Sequence, residues 1–460
     1  MNRLSLFLAL AAGLALIALV LGPRSPVLPT WGPPAVSSQG ALSLAARSSH
    51  PVVTPDQREV FATVSLTGTT VEKSLRRPVQ LALVLDRSGS MAGEKLANAK
   101  LAAAELIRQL HDEDTLALIH YGSDVKVFPS RAATATAKEA MLREVEGIED
   151  EGGTNIGAAL LEAQAELMRN KRENAVQRIL LVSDGEPTEG MTEPTAIAQL
   201  TRSLRQEGLR VSAIGVGTDF NEDLMSKIAE TGAGSYGYLR DTRELAGLFR
   251  RDLEQASTLV ARDVDLSFEL PEGVELGEVL GYAARQEGRT VHVPMTDFAA
   301  GQNERVVARL VVHAPRVGAT FTLARVRVRY GDLLARAPRE SGVDLTATVA
   351  SSNEDMVARQ DKDATVEATR AMSARNLELA ADSMGQGNRG RAVTLLQENE
   401  ALMEKAESIA GAPALQADRA SAAMMASGLS SASSADDLQD AVKSAKKAAR
   451  KGYGRLGSTY

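Results

Sequence analysis

Hydrophobic and polar positions change their period several times along this chain, and each change marks a boundary. After Met1-Asn2-Arg3 an apolar run extends from Leu4 to Gly22, interrupted by Ser5, and Gly22-Pro23-Arg24-Ser25-Pro26 then stops any helix. The run is about as long as a bilayer is thick and exceeds a secretory core of about 7–15 residues. Residues 1–25 therefore read as a signal or anchor segment, cleaved or uncleaved. Arg3 and Arg24 flank it on both sides, so the basic residues do not set its orientation. Residues 26–50, with prolines among Ser, Gly and Ala, read as an extended linker. The rest of the chain is expected on the extracytoplasmic side of the cell envelope, membrane-anchored or exported.

From Val60 to Leu66 apolar side chains fall on every second position, as in a half-buried strand, and residues 51–76 are assigned to one strand of a β-sandwich. In 77–256 the texture changes. Short apolar runs at 79–85, 115–121, 178–182 and 209–216 alternate with amphipathic helical stretches at 94–110, 156–168, 194–206 and 221–230. Apolar strands separated by helices predict an α/β domain, a doubly wound and mostly parallel sheet. Strict alternation returns in 257–350, in Val264/Leu266/Phe268/Leu270, 290–293, 305–312 and 322–330, with turns at Pro271-Glu272-Gly273 and Gly331-Asp332. These segments predict an antiparallel sandwich, completed by the strand of 51–76, so that the α/β domain is an insertion within it. Residues 351–460 carry apolar stripes at helical spacing broken by Gly385, Gly387 and Gly390, and read as an α-helical tail. A plain helical hairpin explains 380–402 better than a lone tetratricopeptide unit.

Composition narrows the chemistry. The 460 residues have 44% hydrophobic and 24% charged side chains, enough for several ordinary cores. Cysteine is absent, which excludes disulfides, thiolate catalysis and Cys-ligated metals, so any metal is held by oxygen or histidine. A net charge of −7 and 3% aromatics argue against nucleic acid as a partner. Walker, His-Glu-x-x-His and Gly-x-Ser-x-Gly motifs are missing. Gly215-Val216-Gly217 lacks the third glycine of a dinucleotide loop, since Phe220 stands there. The basic cluster Lys443, Lys446, Lys447, Arg450, Lys451 and Arg455 reads as a solvated helix face favourable to the helix dipole; anionic lipid, wall polymer or nucleic acid are its alternatives.

One constellation carries chemistry. The strand 79–85 ends in Asp86-Arg87-Ser88-Gly89-Ser90, offering a carboxylate and two hydroxyls at alternate positions in a loop at a strand's carboxyl end, where open α/β sheets bind ligands. Thr154, in Glu151-Gly152-Gly153-Thr154-Asn155, opens a helix, and Asp184 follows the strand 178–182. Together these residues resemble the metal-ion-dependent adhesion site of von Willebrand factor type A domains, a likeness that covers roughly residues 78–256. The resemblance implies a doubly wound sheet with one antiparallel edge strand, at 125–128. It implies a Mg²⁺ ion, with Mn²⁺ or Ca²⁺ as alternatives, held by Asp86, Ser88, Ser90, Thr154 and Asp184. It further implies a protein partner that offers a carboxylate as the last ligand. The order of the flanking domains is similar to that of bacterial homologues of calcium-activated chloride channels and of inter-alpha-trypsin-inhibitor heavy chains. The expected function is non-enzymatic adhesion or scaffolding. A metal-dependent hydrolase with Glu186 as base, and a structural module without metal-dependent binding, are the rivals. Arg87 and His120 are expected to matter little.

Overall fold

The computed structural model describes the chain from Pro34 onward, apart from residues 39, 58, 72–75, 173–174, 185, 218–219, 240–243, 456–458 and 460. The expected export segment lies outside these residues. Among the described residues no helix is long and apolar enough to cross a membrane.

In chain order, β1 (Ala35–Ser37), β2 (Leu42–Ser48), β3 (Val52–Val53) and β4 (Glu59–Gly68) come first. The linker expected over 26–50 is therefore strand in its second half. Leu42, Leu44 and Ala46 alternate into the core with Ser43 and Ala45 facing outward. Composition hid a two-residue period there.

The α/β unit comes next: β5 (Val79–Asp86), α1 (Glu94–Gln109), β6 (Thr115–Tyr121), β7 (Val125–Ala132), α2 (Ala135–Glu146), α3 (Ile156–Arg169), β8 (Val176–Ser183), α4 (Pro194–Gln206), β9 (Arg210–Val216), α5 (Glu222–Thr231), β10 (Ala233–Leu239) and α6 (Leu245–Ser257). Its sheet runs β10-β9-β8-β5-β6-β7, parallel throughout except for the antiparallel edge strand β7. β5, β8 and β9 are buried along their whole length because helices cover both faces of the sheet. Three of the helices start at side-chain caps: Thr134 Oγ1 accepts from the Ala137 N–H at 3.4 Å, Asn155 Oδ1 from that of Ala158 at 3.1 Å, and Asn221 Oδ1 from that of Leu224 at 3.0 Å.

The remaining strands, β11 (Leu259–Glu269), β12 (Val274–Leu280), β13 (Arg285–Glu287), β14 (Thr290–Pro294), β15 (Phe298–Ala299), β16 (Asn303–Val312), β17 (Thr320–Asp332) and β18 (Ala337–Val349), complete two sheets, ordered β1-β2-β4-β16-β12 and β13-β14-β11-β17-β18-β3. β4 pairs antiparallel with β16, matching Val64 with Val306. The α/β unit is thus inserted in the sandwich, whose inner faces meet in one core. At the insertion point the Arg77 N–H donates to the Ser257 carbonyl at 2.8 Å, joining the two crossing strands of chain.

Helices α7 (Asn353–Ala358), α8 (Lys362–Gly385), α9 (Arg389–Ala410), α10 (Ala412–Ser431) and α11 (Ala435–Gly452) form the tail. α8 is tied to the sandwich by Arg375–Glu278 at 2.8 Å and by an Arg305–Glu367 ion pair. The expected solvated basic face of α11 is corrected by the structure, because it docks on the α/β unit. Lys443 is buried, donates to the Phe220 carbonyl at 2.8 Å and lies 4.1 Å above the Phe220 ring. Lys446 bridges Asp223 of α5 and Asp382 of α8 at 3.2 and 2.8 Å. Lys447 donates to the Tyr238 carbonyl, and Arg450 stacks on Tyr236 beside Glu222. Without tertiary partners a basic stripe looks solvated; here carbonyls, carboxylates and aromatic faces collect it.

Burial raises the Glu222 carboxyl from an ordinary 4.5 to about 7, and Arg450 and Lys446 oppose that rise. The fold therefore favours the protonated acid. This contribution is complete below pH 4.5 and is lost as pH rises through about 7. Glu222→Gln should accordingly be more stable relative to the parent at pH 8 than at pH 5, measured by urea melts at both. A constant difference, or one of opposite sign, would show that Arg450 outweighs burial.

Candidate metal centre

The five residues picked out in the sequence sit on loops at one edge of the central sheet. Asp86 ends β5 between β6 and β8 with no exposure to solvent. Its Oδ1 accepts from the Ser88 N–H at 2.8 Å, and its Oδ2 accepts from Ser183 Oγ at 2.6 Å and from the Tyr121 hydroxyl at 3.4 Å. Burial pushes the Asp86 carboxyl above its usual range and the negative Asp184 adds to this; hydrogen bonds from Ser183 and Ser88 pull it back. Tyr121 is driven well above its ordinary value by burial and by Asp86, so it remains a phenol donor.

A chain of oxygens leads from this carboxylate to the second. Ser88 Oγ lies 3.1 Å from Ser90 Oγ, and Ser90 Oγ donates to Asp184 Oδ1 at 2.7 Å. Asp184 is buried; its other oxygen takes the Lys95 ammonium from the first turn of α1. Ser90 is exposed and marks the mouth. Thr154 is buried, and its backbone is clamped between loops: its N–H donates to Thr188 Oγ1 at 2.8 Å and its carbonyl accepts from the Thr188 N–H at 2.9 Å.

The loops are stitched to one another. The Gly89 N–H donates to the Gly152 carbonyl at 3.1 Å, and the Glu151 N–H to the Arg87 carbonyl at 2.8 Å. Gly122 approaches so closely that a Cβ there would lie 2.1 Å from the Glu151 carbonyl oxygen. Arg87, expected to matter little, is among the largest fully buried side chains. It pairs with Asp124 and, at 3.0 Å, with Glu151, carboxylates of the two neighbouring loops. His120 is also buried, 3.6 Å from Glu144, and burial together with Arg87 lowers its pKa. Exposed Glu186 accepts from Asn221 Nδ2 at 3.3 Å and holds the next loop.

Ser183, Tyr121 and Lys95 are residues of the site that sequence reasoning passed over, and Arg87 is one that it discounted. Ser183 adjoins a motif residue, and Tyr121 faces Asp86 once β5 and β6 are set in parallel register. That register was not available from spacing.

The donor set suits a hard divalent cation. Among the described residues no group of three or more His, Cys, Asp or Glu side chains is arranged to hold a metal. Two carboxylates with hydroxyls between them remain, oxygen donors of the kind Mg²⁺ accepts alongside water.

Fold and loops together define a doubly wound α/β domain carried on a β-sandwich. The family model of the von Willebrand factor type A domain matches residues 80–251, so the chain carries a domain of this type. The Escherichia coli K12 protein YfbK is 28% identical over 245 residues, covering 51% of this chain and 42% of its own length. Inter-alpha-trypsin inhibitor heavy chain H2 of Homo sapiens is 26% identical over 198 residues, 42% of this chain and 21% of its own. The chain thus spans less than half the length of either relative. Among solved structures, a von Willebrand factor type A protein from Catenulispora acidiphila superposes with a TM-score of 0.68 at 19% identity, covering 86% of this chain and 92% of that one. VWA2, an ArnB paralog from Sulfolobus acidocaldarius, gives 0.56 at 18%, covering 90% and 99%. These likenesses show the fold. Domains of this family typically mediate protein interactions and adhesion, and are generally non-enzymatic.

Arg87→Met should destabilise the domain by about 1–3 kcal/mol, the cost of losing a buried, paired guanidinium whose partners stay solvated. Asp124 and Glu151 side chains are 58% and 69% exposed, so water takes over their charge. Urea unfolding checks this; a change below about 0.5 kcal/mol, normal for a surface site, would show that the clamp is dispensable.

Proposed function

We propose that this chain is a non-enzymatic adhesion or scaffolding protein of the cell envelope, which grips a carboxylate of a protein partner through Mg²⁺, with Mn²⁺ or Ca²⁺ able to substitute. Asp86, Ser88, Ser90, Thr154 and Asp184 would hold the ion. The observation that carries this reading is the continuous set of oxygens from Asp86 through Ser88 and Ser90 to Asp184, spaced by hydrogen bonds and open to solvent at Ser90. Bound there, the cation supplies a Lewis-acidic position for a partner's carboxylate oxygen.

The chain's own residues set the selectivity. Lys95 already offsets part of the charge on Asp184, and Ser183 with Tyr121 satisfies Asp86 from behind, so the site keeps a small negative charge. Asp124 and Glu151 stand exposed on the neighbouring loops, which favours a partner whose acidic tip is flanked by basic groups. The engagement of Glu186 with Asn221 supports a loop-holding role over that of a hydrolytic base. The envelope setting rests on the apolar run of residues 4–22.

Asp86→Ala should lower Mg²⁺ affinity more than about 100-fold, while Ser88→Ala, Thr154→Ala and the outer-sphere change Ser183→Ala should cost roughly 10–100-fold. Calorimetric Mg²⁺ titration of each variant, with circular dichroism to verify folding, measures this. Partner capture from envelope extracts should fail with chelator. Unchanged Mg²⁺ affinity in Asp86→Ala would overturn the assignment, and chelator-sensitive turnover lost in Glu186→Gln would favour a hydrolase.

A further inference from the structure

The opposite edge of the central sheet carries a different kind of surface. Where β8 and β9 begin and β11 of the sandwich passes beside them, a cleft of about 720 Å³ separates the two domains. Among the described residues, eight Lys and Arg line it against four Asp and Glu, in a chain whose net charge is −7. Three of the four acids belong to internal pairs. Buried Arg210 donates to Asp297 at 2.7 and 3.2 Å and to Asp263 at 2.8 Å, fastening the α/β unit to the sandwich. Glu230 holds Lys227 at 3.1 Å, and Glu207 accepts from Gln164 at 2.7 Å.

Arg205, Arg172, Lys171 and Arg202 are less well matched. Arg205 donates to the Met295 carbonyl at 3.4 Å, while the carboxylates near it bind Arg210. Arg172 is directed to the Glu113 carbonyl. Among the described residues, exposed Lys171 and Arg202 have no carboxylate within ion-pair distance. Burial and the like charges of Arg262 and Arg336 lower the pKa of Arg77; burial and Arg210 do the same to Arg205. A cleft of one sign walled by protein concentrates its field and attracts counter-charge.

We propose that this cleft binds a compact, phosphate-rich anion through Lys171, Arg202 and Arg205. Arginine outnumbers lysine six to two along the walls, and its planar fork matches phosphate oxygens in pairs. Among the described residues no Phe, Tyr or Trp lines the cleft, which disfavours a nucleobase that would need an aromatic face to stack on. The volume is of the order of a small-ligand pocket, which suits an oligophosphate or a phosphate-bearing headgroup better than a long acidic chain. Seated there, the anion would bridge α4 and the segment that follows α3. This site is independent of the metal centre at the other edge of the sheet.

Isothermal titration of the full chain with sodium tripolyphosphate, in buffer free of divalent ions, tests the proposal. One saturable equivalent should bind. Lys171→Glu and Arg202→Glu, both at exposed positions, should each weaken binding at least about tenfold, the loss of roughly one charge-assisted contact. Lys405→Glu, an equal charge change on the tail, should not. Dihexanoyl phosphatidic acid distinguishes the sources: tighter binding than tripolyphosphate assigns a lipid headgroup, weaker binding a free oligophosphate. Absence of tripolyphosphate binding, an equal loss in Lys405→Glu, or preference for an octaglutamate peptide would each overturn it.

Discussion

A carboxylate at the end of a central strand, shut away from water, has to be satisfied by the protein around it, and Asp86 imposes that demand on its neighbours. Removing an ionised carboxylate from solvent costs several kcal/mol unless hydrogen bonds and counter-charge replace the water. Here β8 supplies Ser183, β6 supplies Tyr121, and the turn after β5 supplies the Ser88 N–H. Each donor comes from a different segment, so satisfying Asp86 requires β6, β5 and β8 in parallel register. The same turn places Ser88 and Ser90 toward Asp184. Stability of the buried acid and spacing of the oxygen donors are consequences of one local arrangement.

Arg87 extends the arrangement outward. Its side chain is as buried as Asp86, but its charge is directed at Asp124 and Glu151, so the loops after β6 and before α3 close over the first loop. A small residue in its place would leave those loops joined by contacts such as the Gly89 N–H to the Gly152 carbonyl and the Gly153 N–H to Ser123 Oγ. The motif thus has a structural companion inside it: the ligand-type residues present oxygen, and the intervening arginine positions the frame.

The insertion of the α/β unit into the sandwich raises a second requirement, since one short crossing at Arg77 and Ser257 would leave the two domains hinged. Three sets of contacts restrain them. Arg210 reaches Asp297 and Asp263 of the sandwich, α8 lies along the sheet that contains β4 and β16, and α11 returns to α5 and β10. The tail therefore binds both parts. Gly281 shows how close the fit is, because a Cβ there would fall 2.1 Å from the Tyr453 ring.

Much of this was legible in the chain. Period-two alternation marked β4, β11, β14, β16 and β17, and apolar runs between amphipathic helices marked β5, β6, β8 and β9, because burial on one face or two writes itself into residue type. The oxygen motif was legible for a related reason: the loop confines a carboxylate and two hydroxyls to alternate positions at the end of a buried strand. The properties that sequence could not determine were those that depend on which distant surfaces meet. Leu42, Leu44 and Ala46 alternate within a stretch whose Ser, Gly and Pro content resembles a linker, and only pairing with β4 makes it a strand. The basic face of α11 has the composition of a solvated surface until α5, β10 and α8 surround it. Arg87 reads as a residue of little consequence until Asp124 and Glu151 converge on it. Local periodicity reports burial along one element, whereas the partner of a charge or of a strand edge is chosen by residues far away in sequence, and that choice belongs to the tertiary structure.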